Sequence, residues 1–77
     1  MTLDELDQGG LARVTGVAGG DAISQRLLEM GLTPGVQVRL IGAAPLGDPL
    51  ELEIRGYRLS IRRAEAARVD IDPLTVR

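Results

Sequence analysis

At 77 residues the chain is long enough for one small domain and too short for two. Its 12 Leu, 5 Ile and 6 Val, against one Tyr and no Phe or Trp, supply an aliphatic core; the absence of Cys and His excludes a disulfide staple, a zinc knot, a thiol nucleophile and an imidazole base. Nine Arg, no Lys and eleven acids leave a net charge of −2, which argues against nucleic-acid binding by counterion release.

The opening is expected to be a helical turn, because Thr2 and Glu5 have capping-box spacing and Leu3 and Leu6 share a side. After a turn at Asp7 to Gly10, Leu11 to Val17 reads as a strand with Ala12, Val14 and Gly16 on one face, small enough to admit another backbone. Asp21 can cap a helix over Ala22 to Met30. Ile23, Leu27 and Met30 would face inward, and Gln25, Arg26 and Glu29 would face water. Gly31 supplies the left-handed residue that ends the helix, with Leu32 folding back on Leu27. Thr33 to Val36 suits a type II turn.

From Val36 the period drops to two, so Val36, Val38 and Leu40 belong to a strand that turns aside near Gly42. GAAPLGDP, Gly42 to Pro49, holds two Pro and two Gly and must be an excursion. In LELEIRGYRLSIR, a two-residue turn at Arg55 and Gly56 sets Ile54 opposite Tyr57, Leu52 opposite Leu59 and Leu50 opposite Ile61, all apolar. The other face then pairs Glu53 with Arg58 and Glu51 with Ser60. One helical turn at Ala64 to Ala67 precedes a last strand, Arg68 to Asp72, ended by Pro73. The expected fold is therefore mainly β: a small five-stranded, SH3-like antiparallel barrel over residues 1–72, one short helix after the first strand, and a flexible tail over 73–77.

Candidate sites follow from what remains. Gly16, Gly19 and Gly20 before a helix are no phosphate loop without a lysine. Asp4, Glu5, Asp7, Glu51 and Glu53 lack calcium-loop spacing, so no metal site is expected beyond an adventitious contact bridged by carboxylates of two molecules. Arg55, Arg58, Arg62 and Arg63 have only Tyr57 for base stacking. Catalysis would rest on carboxylates or on Ser24 and Ser60, and neither an enzyme nor a cofactor is expected. The acidic N-terminus and the lack of a long apolar run lead us to expect a cytoplasmic protein without direct membrane insertion.

The excursion differs in kind. Pro45 and Pro49 stiffen it, and Leu46 lies at its tip between turn formers. Two readings stay open: Leu46 folded back on the barrel, or Leu46 exposed as an anchor in a docking segment of Pro45, Leu46, Gly47, Asp48 and Pro49. The exposed helix face of Gln25, Arg26 and Glu29 is the second candidate surface.

RLLEMGLTPG at Arg26 to Gly35, APLGDP at Ala44 to Pro49 and RGYRLSIRRAEAARV at Arg55 to Val69, in this order, resemble the FeoA family of bacterial ferrous-iron transport accessory proteins. The resemblance covers about residues 2 to 72. It implies a stand-alone SH3-like barrel acting in the cytoplasm with FeoB, a membrane permease that carries a GTP-binding domain, and no catalytic or iron-carrying site. Positions that match the family pattern are Leu28, Gly31, Leu32, Pro34 and Gly35, then Pro45 to Pro49, then Gly56 and Tyr57. Ser24 and Gln25 depart from the basic residues that relatives often place there, which weakens electrostatic docking through that helix face. The alternative is a regulatory or nucleic-acid-binding barrel related to the C-terminal domain of iron-dependent repressors. With Met1 opening the chain and no DNA-reading helices ahead of the barrel, the stand-alone form is the expected one.

Overall fold

The computed structural model describes residues 1–74, and the elements follow the expected order. A 3-10 turn (Leu3–Glu5) leads to β1 (Leu11–Val17), helix α1 (Ala22–Glu29), β2 (Gln37–Ala43), β3 (Leu50–Ile54), β4 (Tyr57–Ile61), helix α2 (Arg63–Ala66) and β5 (Val69–Leu74). The five strands form one antiparallel sheet in the order β4-β3-β2-β1-β5, so the molecule is mainly β with a short helix after the first strand.

Local chemistry accounts for each boundary. The Thr2 N–H donates to Glu5 Oε1 at 2.8 Å, closing the capping box and holding the Glu5 carboxyl below its usual value. At the end of α1, Gly31 has φ 111°, its N–H donates to the Leu28 carbonyl at 3.0 Å, and the Leu32 N–H donates to the Leu27 carbonyl at 3.2 Å. These two bonds complete the Schellman ending and bury Leu27 and Leu32 side by side in the core. In the β3–β4 hairpin, Arg55 and Gly56 both take positive φ (49° and 83°), as a two-residue turn that follows strand twist requires. Its register is the one derived from the sequence, from Ile54 opposite Tyr57 to Leu50 opposite Ile61.

Val14, Val38, Leu50, Leu52, Ile54 and Val69 from the strands meet Leu3, Leu27 and Leu32 in a single core. Each such side chain removed from water contributes about 1.5–3 kcal/mol. The outer edge of β5 is covered by the chain's beginning, through a bridge between Thr2 and Asp70 and an Ile71 N–H donated to the Met1 carbonyl at 2.9 Å. Among the described residues no further strand lies beyond β4.

Several local expectations are corrected. Ile23 does not face inward; it is exposed, and Ser24 is buried in its place. Ser24 Oγ donates to the Asp21 carbonyl at 2.8 Å, so the hydroxyl enters the interior with its hydrogen bond already made. Met30 caps the helix and packs only partly against the core. A Cβ built on Gly16 would meet nothing within 4 Å; the small residue marks a register shift between Val14 and Gly16, not a close approach. Pro73 does not end the last strand, which runs through it to Leu74 with Pro73 opposite Ala12. A proline is tolerated there because β5 lies at the sheet's edge. The rest of the expected tail, residues 75–77, lies outside the described residues.

Candidate functional site

Between β2 and β3 the chain leaves the sheet at residues 44–49. Within this loop the Gly47 N–H donates to the Ala44 carbonyl at 2.7 Å, so Pro45 and Leu46 occupy the centre of a turn, and the Ala44 N–H donates to the Pro49 carbonyl at 3.0 Å. The proline at the second turn position presets φ for that geometry. Leu46 is 97% exposed, so it does not fold back on the barrel. An exposed leucine is ordinary on a large surface. Here it stands at the tip of a loop that is tied down on its far side.

The tie is Arg63, the first residue of α2. Its backbone N–H donates to Asp48 Oδ1 at 2.9 Å, its Nε donates to the Gly47 carbonyl at 3.0 Å, and its guanidinium also donates to the Asp4 carbonyl at 3.3 Å. Asp48 therefore serves the loop's own geometry by accepting an otherwise orphan N–H at a helix start. Sequence reasoning missed this partner. The signal was present only as an Arg at the start of a short helix, 15 residues away in the chain.

On α1, Gln25 and Glu29 are exposed, whereas Arg26 forms an ion pair with Glu65 of α2. The Glu65 Oε1 atom also accepts the Arg62 N–H at 2.9 Å, so one carboxylate both closes the first turn of α2 and reaches across to α1. Below this bridge lies an open groove of about 590 Å³ lined by Arg26, Met30, Pro49, Ser60, Ile61, Arg62 and Glu65. It brings Arg26 of one candidate surface and Pro49 of the other to the same hollow, while Gln25, Glu29 and Leu46 are outside its lining. Tyr57 ties β4 to the end of α1: its hydroxyl donates to the Met30 carbonyl at 2.7 Å, satisfying one helix-terminal acceptor. A Cβ on Gly31 would lie 2.5 Å from that hydroxyl, so glycine is needed there for room as well as for its positive φ.

The strongest electrostatic perturbation lies elsewhere. Asp21 caps α1 by accepting the Ser24 N–H at 3.1 Å, and both its oxygens accept from Arg68 at 2.6 and 2.7 Å. The Arg68 hydrogen bonds, with the Ser24 amide second, push the Asp21 carboxyl down to about 2. This pair joins α1 to the start of β5 and is architectural. Glu53 and Arg58 stand opposite each other in the ladder, yet no ion pair joins them among the described residues. Among the described residues no three acidic side chains converge as a ligand set, and no helix is long and apolar enough to cross a membrane.

Comparison with known proteins sets this geometry in a family. A model described as the FeoA domain matches residues 1–73. The solution structure of FeoA from Chlorobium tepidum is 40% identical, with a TM-score of 0.89 over 97% of this chain and 71% of that one. FeoA from Stenotrophomonas maltophilia, crystallised with zinc and described as a prokaryotic SH3-domain protein and candidate ferrous iron transport activating factor, is 38% identical, with a TM-score of 0.81 over 94% of this chain and 89% of that one. A fusion of Fe(2+) transport protein A with the Fe(2+) transporter FeoB from Porphyromonas gingivalis is 36% identical over 72 residues, which are 94% of this chain and 8% of the fusion. The chain thus spans a small fraction of that relative's length.

Proposed function

Because this chain belongs to the FeoA family and has its SH3-like fold, we propose that it is a non-catalytic accessory protein of ferrous iron uptake that works in the cytoplasm by binding the cytosolic part of a FeoB permease. The observation that carries this reading is the Porphyromonas gingivalis fusion, in which a segment like this chain and the FeoB transporter share one polypeptide. Fusion holds two modules at high effective concentration, which is useful where the separate modules would associate.

The loop at 44–49 is the docking element in this reading. Leu46 is the most exposed large apolar side chain among the described residues, and its loop needs little further ordering because Arg63 already holds Gly47 and Asp48. A pre-ordered anchor loses less entropy on binding than a mobile one. Pro45 shapes the turn that presents Leu46, and Pro49 carries the surface into the groove where Arg26 lies. Gln25 and Glu29 extend the same side of α1 as a polar rim.

Co-purification with full-length FeoB, with and without guanine nucleotide, tests the reading. Retention of the chain on FeoB is expected. Failure to be retained in either nucleotide condition would remove FeoB as the partner.

A further inference from the structure

The groove beside β4 has a property that the docking loop lacks: one wall is an open sheet edge. In a two-residue hairpin the residues flanking the turn exchange both backbone hydrogen bonds, and the pattern then alternates along the ladder. Tyr57, Leu59 and Ile61 thus direct their N–H and C=O groups to β3, while those of Arg58 and Ser60 point away from the sheet. Among the described residues no strand lies beyond them and no other backbone group bonds either one. The edge stops at Arg62, whose N–H is held by Glu65 and whose carbonyl accepts the Glu65 and Ala66 amides.

Side chains give this edge a sign and a period. Ile61, Met30 and Pro49 make its inner side apolar. Arg58 and Ser60 lie on the other face, with Glu53 and Glu51 of β3 behind them, and Arg62 continues the row at the groove's rim; neither arginine is in an ion pair among the described residues, so the outermost charges of the edge are basic. A second copy of this chain is a poor occupant, because antiparallel pairing about Ser60 would set Arg58 of each copy against Arg62 of the other. Basic residues on an edge ordinarily keep strands apart for this reason. An acidic strand reverses the sign. The one carboxylate already in the groove, Glu65, is in fact paired with Arg26.

We infer that the β4 edge and its groove bind an extended segment of a partner protein, added as a sixth strand, whose residues alternate between acidic and apolar. Main-chain bonds to Arg58 and Ser60 supply affinity, acidic side chains meet Arg58 and Arg62, and apolar ones enter between Met30, Pro49 and Ile61. The inference goes beyond FeoB binding and stands or falls without it.

The test is a titration of the full chain with the peptide acetyl-Glu-Val-Glu-Val-Glu-amide, followed by amide NMR and hydrogen exchange. The Arg58 and Ser60 amides should shift and gain protection, and binding should weaken with added salt. Arg62→Glu, or a peptide with Lys in place of Glu, should lower affinity by about tenfold or more. Ser60→Pro removes one outward donor at a position where an edge strand accepts proline, and should have a similar effect. Should that variant melt early, peptides N-methylated on one alternate set of amides ask the same question from the ligand's side: one set must abolish binding and the other must not. Equal binding of the Lys peptide, equal binding of both methylated sets, shifts confined to residues 44–49, no shifts at millimolar peptide, or dimerisation through β4 would each overturn the inference.

Discussion

Strand β3 is bounded by two loops of different character. At Arg55 and Gly56 the chain reverses in two residues, and the β3 side of the hairpin is fully buried at Ile54 and Leu52, while across from them Leu59 is half-buried and Tyr57 is exposed. At 44–49 it takes six residues, makes its hydrogen bonds internally and to Arg63, and leaves Leu46 97% exposed. The first loop sets register, on which burial of Leu50, Leu52, Ile54 and Ile61 depends; the second is free to present a side chain. In the proposed reading, stability and docking are therefore carried by different ends of the same strand.

Substitutions on the hairpin should break that division most severely. Leu52→Ala opens a cavity opposite Leu59 at a fully buried position and should cost about 2–5 kcal/mol, a large share of what a domain of this size possesses. Chemical denaturation checks this, and a loss no larger than that of a surface variant would contradict the register.

Acid should act next, and away from both loops. Asp21 is depressed to about 2 by Arg68, below its unfolded value near 3.8. Its contribution is therefore fully present above the unfolded value and fades as pH falls from about 4 toward 2. Arg68→Ala should flatten that part of the stability–pH curve while changing the neutral-pH melt less than Leu52→Ala does. An unaltered acid limb would show that the pair is inert. The smallest effect on the hairpin should come from Glu53→Ala: with no ion pair to Arg58, the change in stability should stay within about 0.5 kcal/mol. A loss comparable to that of Leu52→Ala would again unseat the assignment of faces.

The two loops also differ in how far they could be read from the sequence. The hairpin register was legible because period two and a two-residue turn admit one alignment, and the Schellman ending because Gly31 and Leu32 follow the helix directly. For the excursion, its existence was legible from Pro45, Gly47 and Pro49, but the direction of Leu46 was not. That depends on Arg63, which meets Gly47 and Asp48 only in the folded chain. The groove was hidden for the same reason: the Arg26–Glu65 pair joins two helices 39 residues apart (65 − 26). The exchange of Ile23 for Ser24 arises because α1 is only eight residues long, so its rotation is fixed by its two caps and not by the spacing of its apolar residues. Pro73 was misplaced because edge position, a property of sheet order, decides whether a strand tolerates proline.

The measurement that bears most directly on the separation of stability from docking is the melting temperature and FeoB affinity of Leu46→Asp, taken on one preparation beside the parent chain. Charge placed at a fully exposed position should leave the melt unchanged, while burying it at an interface should weaken binding by about 2 kcal/mol, roughly thirtyfold. An unchanged melt with unchanged FeoB binding would contradict the account and remove the loop at 44–49 as the docking element.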